Sequence, residues 1–332
     1  MVRTSWVTRV RLAILTTALM TVGLVSPAQA QYFGQNKVQY DKFDFKVLKT
    51  AHFDIYYYPA EASAAQAVAR MSERWYTRLS GLFAHQLNGR QPVVLYASHP
   101  EFEQTNVIEG SIDEGTGGVT EGARRRVVLP LAATLGETDH VLGHELVHAF
   151  QYDILGQNVS GAPLWFIEGM AEYVSLGPRH AQTAIWLRDA AREDKLPTIK
   201  DLDNPQYFPY RFGHAFWAYI GGRWGDGTIG RILNSLSPPD QGVVAGGIDP
   251  IGAIEAATNT KEDQLSKDWQ RAIRAEYDVS AEPSKTFPAE GNLNVGPSLS
   301  PDDRRSRSCP SAAACRSISI LPMRRPGRCC TS

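Results

Sequence analysis

The chain has 332 residues, enough for one large domain or two smaller ones with a sizeable core. Hydrophobic residues make up 43% and charged residues 21%, ordinary globular usage that excludes a mainly disordered chain, a collagen and a multi-span membrane protein. The formal charge of -1 excludes a general basic signal for nucleic acid.

The charge is unevenly spread. Residues 1–30 hold three arginines and no acid, and residues 304–332 hold seven arginines and no acid. That leaves 24 basic residues against 35 acidic ones in 31–303, a body near -11 between two basic ends. The N-terminal end reads as an export signal: Arg3, Arg9 and Arg11 precede an apolar run from Leu12 to Val25 that is short for a membrane span, and Pro27-Ala28-Gln29-Ala30 places small residues for cleavage after Ala30. The expected location is periplasmic or secreted, with membrane contact only through an uncleaved signal segment. All four cysteines (Cys309, Cys315, Cys329 and Cys330) lie in the tail, so disulfides do not hold the body together.

Within the body, Val47 to Thr50 and His52 to Tyr58 read as strands, ended by Pro59. Glu61 to Leu87 reads as one long amphipathic helix, with Val68, Met71, Trp75, Leu79 and Leu82 at helical spacing and Asn88-Gly89 as its stop. Pro92 to Tyr96 is a strand, 110–118 a glycine-rich loop, and Arg126 to Leu131 a further strand. Pro130, which has no N–H to donate, predicts that this last strand lies at an edge. From Glu137 the chain is mainly helical, with segments at about 137–153, 163–176, 181–192, 210–223 and 261–276 separated by glycine and proline breakers. Thr138 or Asp139 is the expected cap of the first of these. Asn158-Val159-Ser160 fits a glycosylation sequon and equally a short loop.

The expected organisation is a signal at 1–30, an α/β part at 31–135, a helical part at 136–285 and a linker with a further segment at 286–332. The fold class is α+β: a small N-terminal sheet with a long helix, followed by a mainly helical subdomain.

The chemistry-bearing motif is His144-Glu145-Leu146-Val147-His148. On a helix, positions i and i+4 share a face, so both imidazoles can reach one metal ion, and Glu145 beside them can take a proton from a water that the metal acidifies. Twenty residues on, a second helix carries Trp165-Phe166-Ile167-Glu168-Gly169-Met170-Ala171-Glu172-Tyr173.

These two phrases together resemble the gluzincin metallopeptidases, the peptidase MA-like group, over roughly 135–225. The resemblance implies one zinc ion held by His144, His148 and Glu168, with Glu145 as the catalytic base and Glu172 as the carboxylate that orients the first histidine. The side chains agree with that assignment, because Glu172 stands one turn from Glu168 on the same face and a metal-bound histidine normally donates its other N–H to a carboxylate or carbonyl. Two histidines and one carboxylate leave a fourth tetrahedral position for water. The implied activity is hydrolysis of peptide bonds, with a peptide or protein as substrate.

An oxyanion donor is also needed. Tyr210-Arg211-Phe212-Gly213 resembles the Y-x-x-G phrase of the aminopeptidase branch, which makes Tyr210 the first candidate, His214 its rival and Tyr207 a weaker one. The G-A-M-E-N phrase of that branch, which holds a substrate N-terminus, has no match here. Gly117 to Gly122 sits at the comparable place, with Glu121 as the one carboxylate that could take an amine. The histidine-to-glutamate spacing is also one residue longer than in that branch, so internal cleavage is favoured over aminopeptidase action. Arg124, Arg125 and Arg126 could hold acidic substrate side chains beside an edge strand to which an extended peptide adds. Val295-Gly296-Pro297-Ser298-Leu299-Ser300-Pro301-Asp302-Asp303-Arg304 resembles the phrase that opens a blade of TolB-like β-propellers. The acid-free tail after it has the composition of GC-rich DNA read out of frame, so the expectation is a propeller cut short by a frameshift. A partner-binding protein with a relic metal site is the competing reading.

Overall fold

The computed structural model describes residues 39–108, 111–238, 242–244 and 247–277, and the backbone of three strands beyond them. The expected signal at 1–30 therefore lies outside the described residues. Residues up to Val279 make one compact unit and Ser280–Ser332 another.

The first unit is α+β, as its sequence pattern predicts. Strands β1 (Lys46–Lys49) and β2 (Phe53–Tyr57) form an antiparallel pair. Helix α1 (Ala62–Phe83) then crosses over so that β3 (Gln91–Tyr96) lies parallel to β2, and β5 (Arg126–Pro130) lies parallel to β3. A single helical turn, α2 (His99–Phe102), follows β3. Strand β4 (Val119–Glu121) closes the sheet in the order β1-β2-β3-β5-β4, antiparallel to β5. The edge beside the long loop is thus β4, a strand hidden within the glycine-rich stretch, and β5 is internal. Pro130 is tolerated because β4 pairs only with Arg126, Val127 and Val128. Leu131 N–H bonds the Tyr96 carbonyl at 2.8 Å, so the alternation turns the Pro130 nitrogen to the side that β4 leaves uncovered.

Val68, Trp75 and Leu79 bury the predicted stripe of α1. The helix ends at Ala84, which takes a left-handed φ of 47°, four residues before Asn88-Gly89. Helix α3 (Leu135–Leu155) begins a turn earlier than its sequence suggests: the cap is Thr134, in a capping box with Glu137. Thr138 and Asp139 serve elsewhere. Thr138 accepts from Ala132 N–H, and Asp139 accepts from the Trp75 indole at 2.9 Å. Gly143 makes the α1–α3 crossing close, since a Cβ there would lie 2.5 Å from the Trp75 ring.

A 3-10 turn (Gly156–Gly161) reverses the chain into α4 (Leu164–Leu176). Asn158 is buried in that turn: its amide donates to the carbonyls of Leu155 and Gly242, and its oxygen accepts from Val244 N–H. This structural use decides for the loop reading and against a sugar acceptor. Helices α5 (Ala181–Arg192) and α6 (Pro209–Trp224) follow, then α7 (Gly227–Ser235) and α8 (Pro250–Thr258), which the breaker pattern did not separate out, and α9 (Glu262–Glu276). The larger hydrophobic cluster runs from Phe53 on β2 to Ile273 on α9 and takes in α3, and a smaller one gathers Tyr58, Tyr96, Phe102, Ile112 and Val128.

The second unit contributes three strands, β6 (Asn294–Leu299), β7 (Arg305–Pro310) and β8 (Ser319–Pro322), in an antiparallel sheet of that order.

Candidate active site

Helices α3 and α4 meet at the reversal, and there the structure brings His144, His148 and Glu168 together. Nε2 of His144 lies 3.1 Å from Nε2 of His148, and Oε2 of Glu168 lies 3.1 Å from the first and 3.2 Å from the second. The three donor atoms form a nearly equilateral triangle. A zinc-sized ion about 2.0–2.1 Å from each of three tetrahedral ligands would set those ligands about 3.3–3.4 Å apart, so the triangle fits such an ion with little adjustment.

The far nitrogens of both rings show which atoms are free to act. Gln151 donates its amide to the Ile167 carbonyl at 3.0 Å, which turns its own oxygen toward His148 Nδ1 at 2.7 Å. That oxygen only accepts, so His148 carries its proton on Nδ1 and presents a bare Nε2 in the neutral ring. His144 Nδ1 sits 3.2 Å from Glu172 Oε1, bent off the line of a full hydrogen bond. Glu172 is held in turn by Arg211 of α6 at 2.6 Å, with His140 at 3.6 Å on its other oxygen. Both imidazoles thus have polar partners behind them of the kind that orient metal ligands.

The cluster favours added positive charge. Burial pulls the His144 imidazole down, but its contacts with Glu168 and Glu172 outweigh this and hold it up at about 10. Burial likewise pushes the Glu168 carboxyl up, yet the charges and hydrogen bonds of His148 and His144 hold it far below its usual range. Three carboxylates around two imidazoles, with the single Arg211 guanidinium to balance them, are costly to bury without further positive charge among them.

Glu145 is 6% exposed and reaches the sheet edge. The Thr120 hydroxyl on β4 lies 2.7 Å from its Oε2 and 2.8 Å from its backbone carbonyl. Gly118, two residues earlier, leaves room for that approach, because a Cβ there would be 3.0 Å from Glu145 Cγ. Tyr210, in the first turn of α6, stacks over His144 with ring centres 6.1 Å apart and interplanar angle 13°, and its hydroxyl lies close enough to Glu168 to feel its charge. Burial and the Glu168 charge raise the Tyr210 hydroxyl well above the usual phenol range, which keeps it a donor.

Two glycines set the α4–α6 spacing. A Cβ on Gly169 would be 2.4 Å from the Gly213 backbone, and a Cβ on Gly213 would be 2.3 Å from the Trp165 carbonyl oxygen. The two backbones touch, and this contact carries Tyr210 to Glu168 and Arg211 to Glu172.

Other expected roles are corrected. His214 points away from the triangle: its Nε2 donates to the Gly177 carbonyl at 2.9 Å, and it lines a different hollow with His180 and Trp269. Tyr207 packs edge-on against Phe212, ring centres 5.3 Å apart, and does not line the cleft. Glu121 is bound by Arg126 at 2.8 Å, so it is not a free carboxylate for an amine, and Arg126 is not a free cation. Arg125 pairs with Asp153 at 2.9 Å. Thr120, Gln151 and Arg211 were not singled out from sequence. Gln151 had a signal, its place one turn after His148 on the same face. Thr120 had none, because nothing local marks β4 as a strand.

The family described as "Peptidase of plants and bacteria" (BSP) matches residues 129–235, the stretch from β5 to α7 that holds the whole cluster. No curated protein matches the chain. The match and the geometry agree on a peptidase, acting on peptides or proteins.

Proposed function

We propose that the chain is an exported, zinc-dependent peptidase of the gluzincin kind. The observation that carries this reading is the triangle of His144 Nε2, His148 Nε2 and Glu168 Oε2 beside the buried Glu145. Zinc is favoured because two imidazoles and one carboxylate form its usual three-residue catalytic set. When bound, the ion supplies Lewis acidity, acidifying water and polarising the peptide carbonyl. Glu145 takes the proton of the attacking water and delivers it to the leaving nitrogen. Thr120 holds one oxygen of that carboxylate, leaving the other free to face the reaction. Tyr210 turns its hydroxyl from Glu168 to the carbonyl oxygen as negative charge develops there. Glu172, anchored by Arg211, keeps the His144 ring in register.

The test measures metal content and peptide hydrolysis in the wild type and in Glu145→Gln. The expected result is one zinc per chain in both and hydrolysis in the wild type alone. Equal hydrolysis by both proteins refutes the mechanism. Export rests on the arginine-led apolar segment at 3–30, and a mature chain beginning at Gln31 in the periplasm or medium is its expected signature.

A further inference from the structure

Helices α5, α6 and α9 line a further cavity of about 210 Å3, apart from the catalytic cleft. Four buried polar atoms without a hydrogen-bond partner belong to residues on its wall: Thr183 Oγ1, His214 Nδ1, Trp269 Nε1 and His180 Nδ1. Thr183, His214 and Trp269 are each at most 3% exposed. Comparable side chains elsewhere are satisfied. Thr228 and Thr258 donate to the carbonyls of Trp224 and Ile254 one turn back, whereas α5 begins only two residues before Thr183 and offers it no helical carbonyl. The other fully buried tryptophans, Trp165 and Trp217, donate to Asp203 and to the Phe166 carbonyl. Buried polar groups are normally paired, so a cluster of unpaired ones around one hollow marks a place for a molecule that supplies the partners.

The residues set what that molecule carries. His214 Nε2 donates to the Gly177 carbonyl, and burial pulls the imidazole down, so the ring is neutral and its Nδ1 is a bare acceptor. The Trp269 indole can only donate, and the Thr183 hydroxyl can do either. An uncharged group with both N–H and C=O answers all three, and the primary carboxamide is the smallest such group. Leu187, Ala215, Ala218 and Ile273 supply apolar wall for a short methylene stem. At the rim, Arg179 and Glu276 form an exposed pair 3.5 Å apart, of the weak kind that opens readily. Opened, it offers a guanidinium to a carboxylate and a carboxylate to an ammonium group. The volume lies below the range for drug-sized ligands.

We propose that this cavity binds a free amino acid with a carboxamide side chain, glutamine or asparagine, with the amide inward and the α-groups at the rim. The site stands independently of the metal cluster, since Thr183 and Trp269 line neither catalytic cavity.

Calorimetric titration of the full chain with L-glutamine, L-asparagine, L-glutamate and L-norleucine tests this. An amide should bind, with glutamate and norleucine weaker by about 10-fold or more, because one buries a charge and the other leaves the polar atoms unpaired. Thr183→Val keeps the side-chain shape and removes the hydroxyl, and Trp269→Phe removes the indole N–H. Each should weaken the amide by about 10-fold with zinc content unchanged. Binding of none of the four amino acids would leave the cavity to solvent and overturn the proposal. Equal binding of norleucine and glutamine would overturn the carboxamide, and unchanged amide affinity in either folded variant would place the site elsewhere and overturn it too.

Discussion

Replacing Gly213 by alanine tests whether the α4–α6 contact builds the site. The new methyl carbon would fall 2.3 Å from the Trp165 carbonyl oxygen and 2.8 Å from Gly169 Cα, both backbone atoms that no rotamer change can move. Ordinary non-bonded contact lies at about 3.5 Å, so the helices must part by about 1 Å. Overpacking of this kind costs about 1–3 kcal/mol, against a gain of at most about 1 kcal/mol in helix propensity. The same helix supplies the control. Gly222 has nothing within 4 Å of its added Cβ, so Gly222→Ala keeps the gain without the clash. Because both variants share the propensity gain, they should differ by the clash alone, about 1–3 kcal/mol in urea unfolding, or on the order of 2–12 °C in Tm. Gly213→Ala should also bind zinc more weakly, because the separation draws Arg211 from Glu172 and Tyr210 from Glu168. Equal stability of the two variants would refute the close-contact argument. Lower stability with unchanged zinc affinity would refute the link from that contact to the metal site.

Gln151→Leu removes the acceptor at His148 Nδ1, and chelator competition should show a 10- to 100-fold loss of metal affinity, the range typical of such outer partners; an unchanged affinity would count against the tautomer argument. Tyr210→Phe should keep the metal and lose about 10²–10³ in kcat, and a kcat within threefold of wild type would remove Tyr210 from the oxyanion role. Glu61 is a pH test of the fold: it is 3% exposed, one of its oxygens has no hydrogen-bond partner, and burial pushes its carboxyl up to about 7. Between about pH 4.5 and 7 the unfolded chain ionises there while the folded chain keeps its proton, so stability falls with rising pH by on the order of 3 kcal/mol and levels off above that. Denaturant titrations of Glu61→Gln across this window should lack that part of the decline; an identical pH profile in wild type and variant would refute it.

The site and its surroundings were legible to different degrees. His144, Glu145 and His148 are set by helical repeat within a single turn, so their juxtaposition follows from local backbone geometry alone. Glu168 and Glu172 share a face for the same reason, but that their helix returns to the first one was an expectation drawn from resemblance. The expected edge strand at Arg126 to Leu131 failed because Pro130 marks a missing donor and not the strand order. The short β4 that supplies the true edge carries only three residues and lies among glycines.

Local sequence thus determined the α+β class, the main helices and the metal-facing pairs, since each depends on residues within a few turns of one another. Tertiary structure alone decided the Thr120–Glu145 hydrogen bond, the Arg211–Glu172 pair, the Gly169–Gly213 crossing and the exclusion of His214. Each of these joins or parts groups twenty to forty residues or more from their partners in the chain, where neither helical nor strand periodicity carries information. Only packing the sheet edge, α4 and α6 around α3 brings their chemistry within reach.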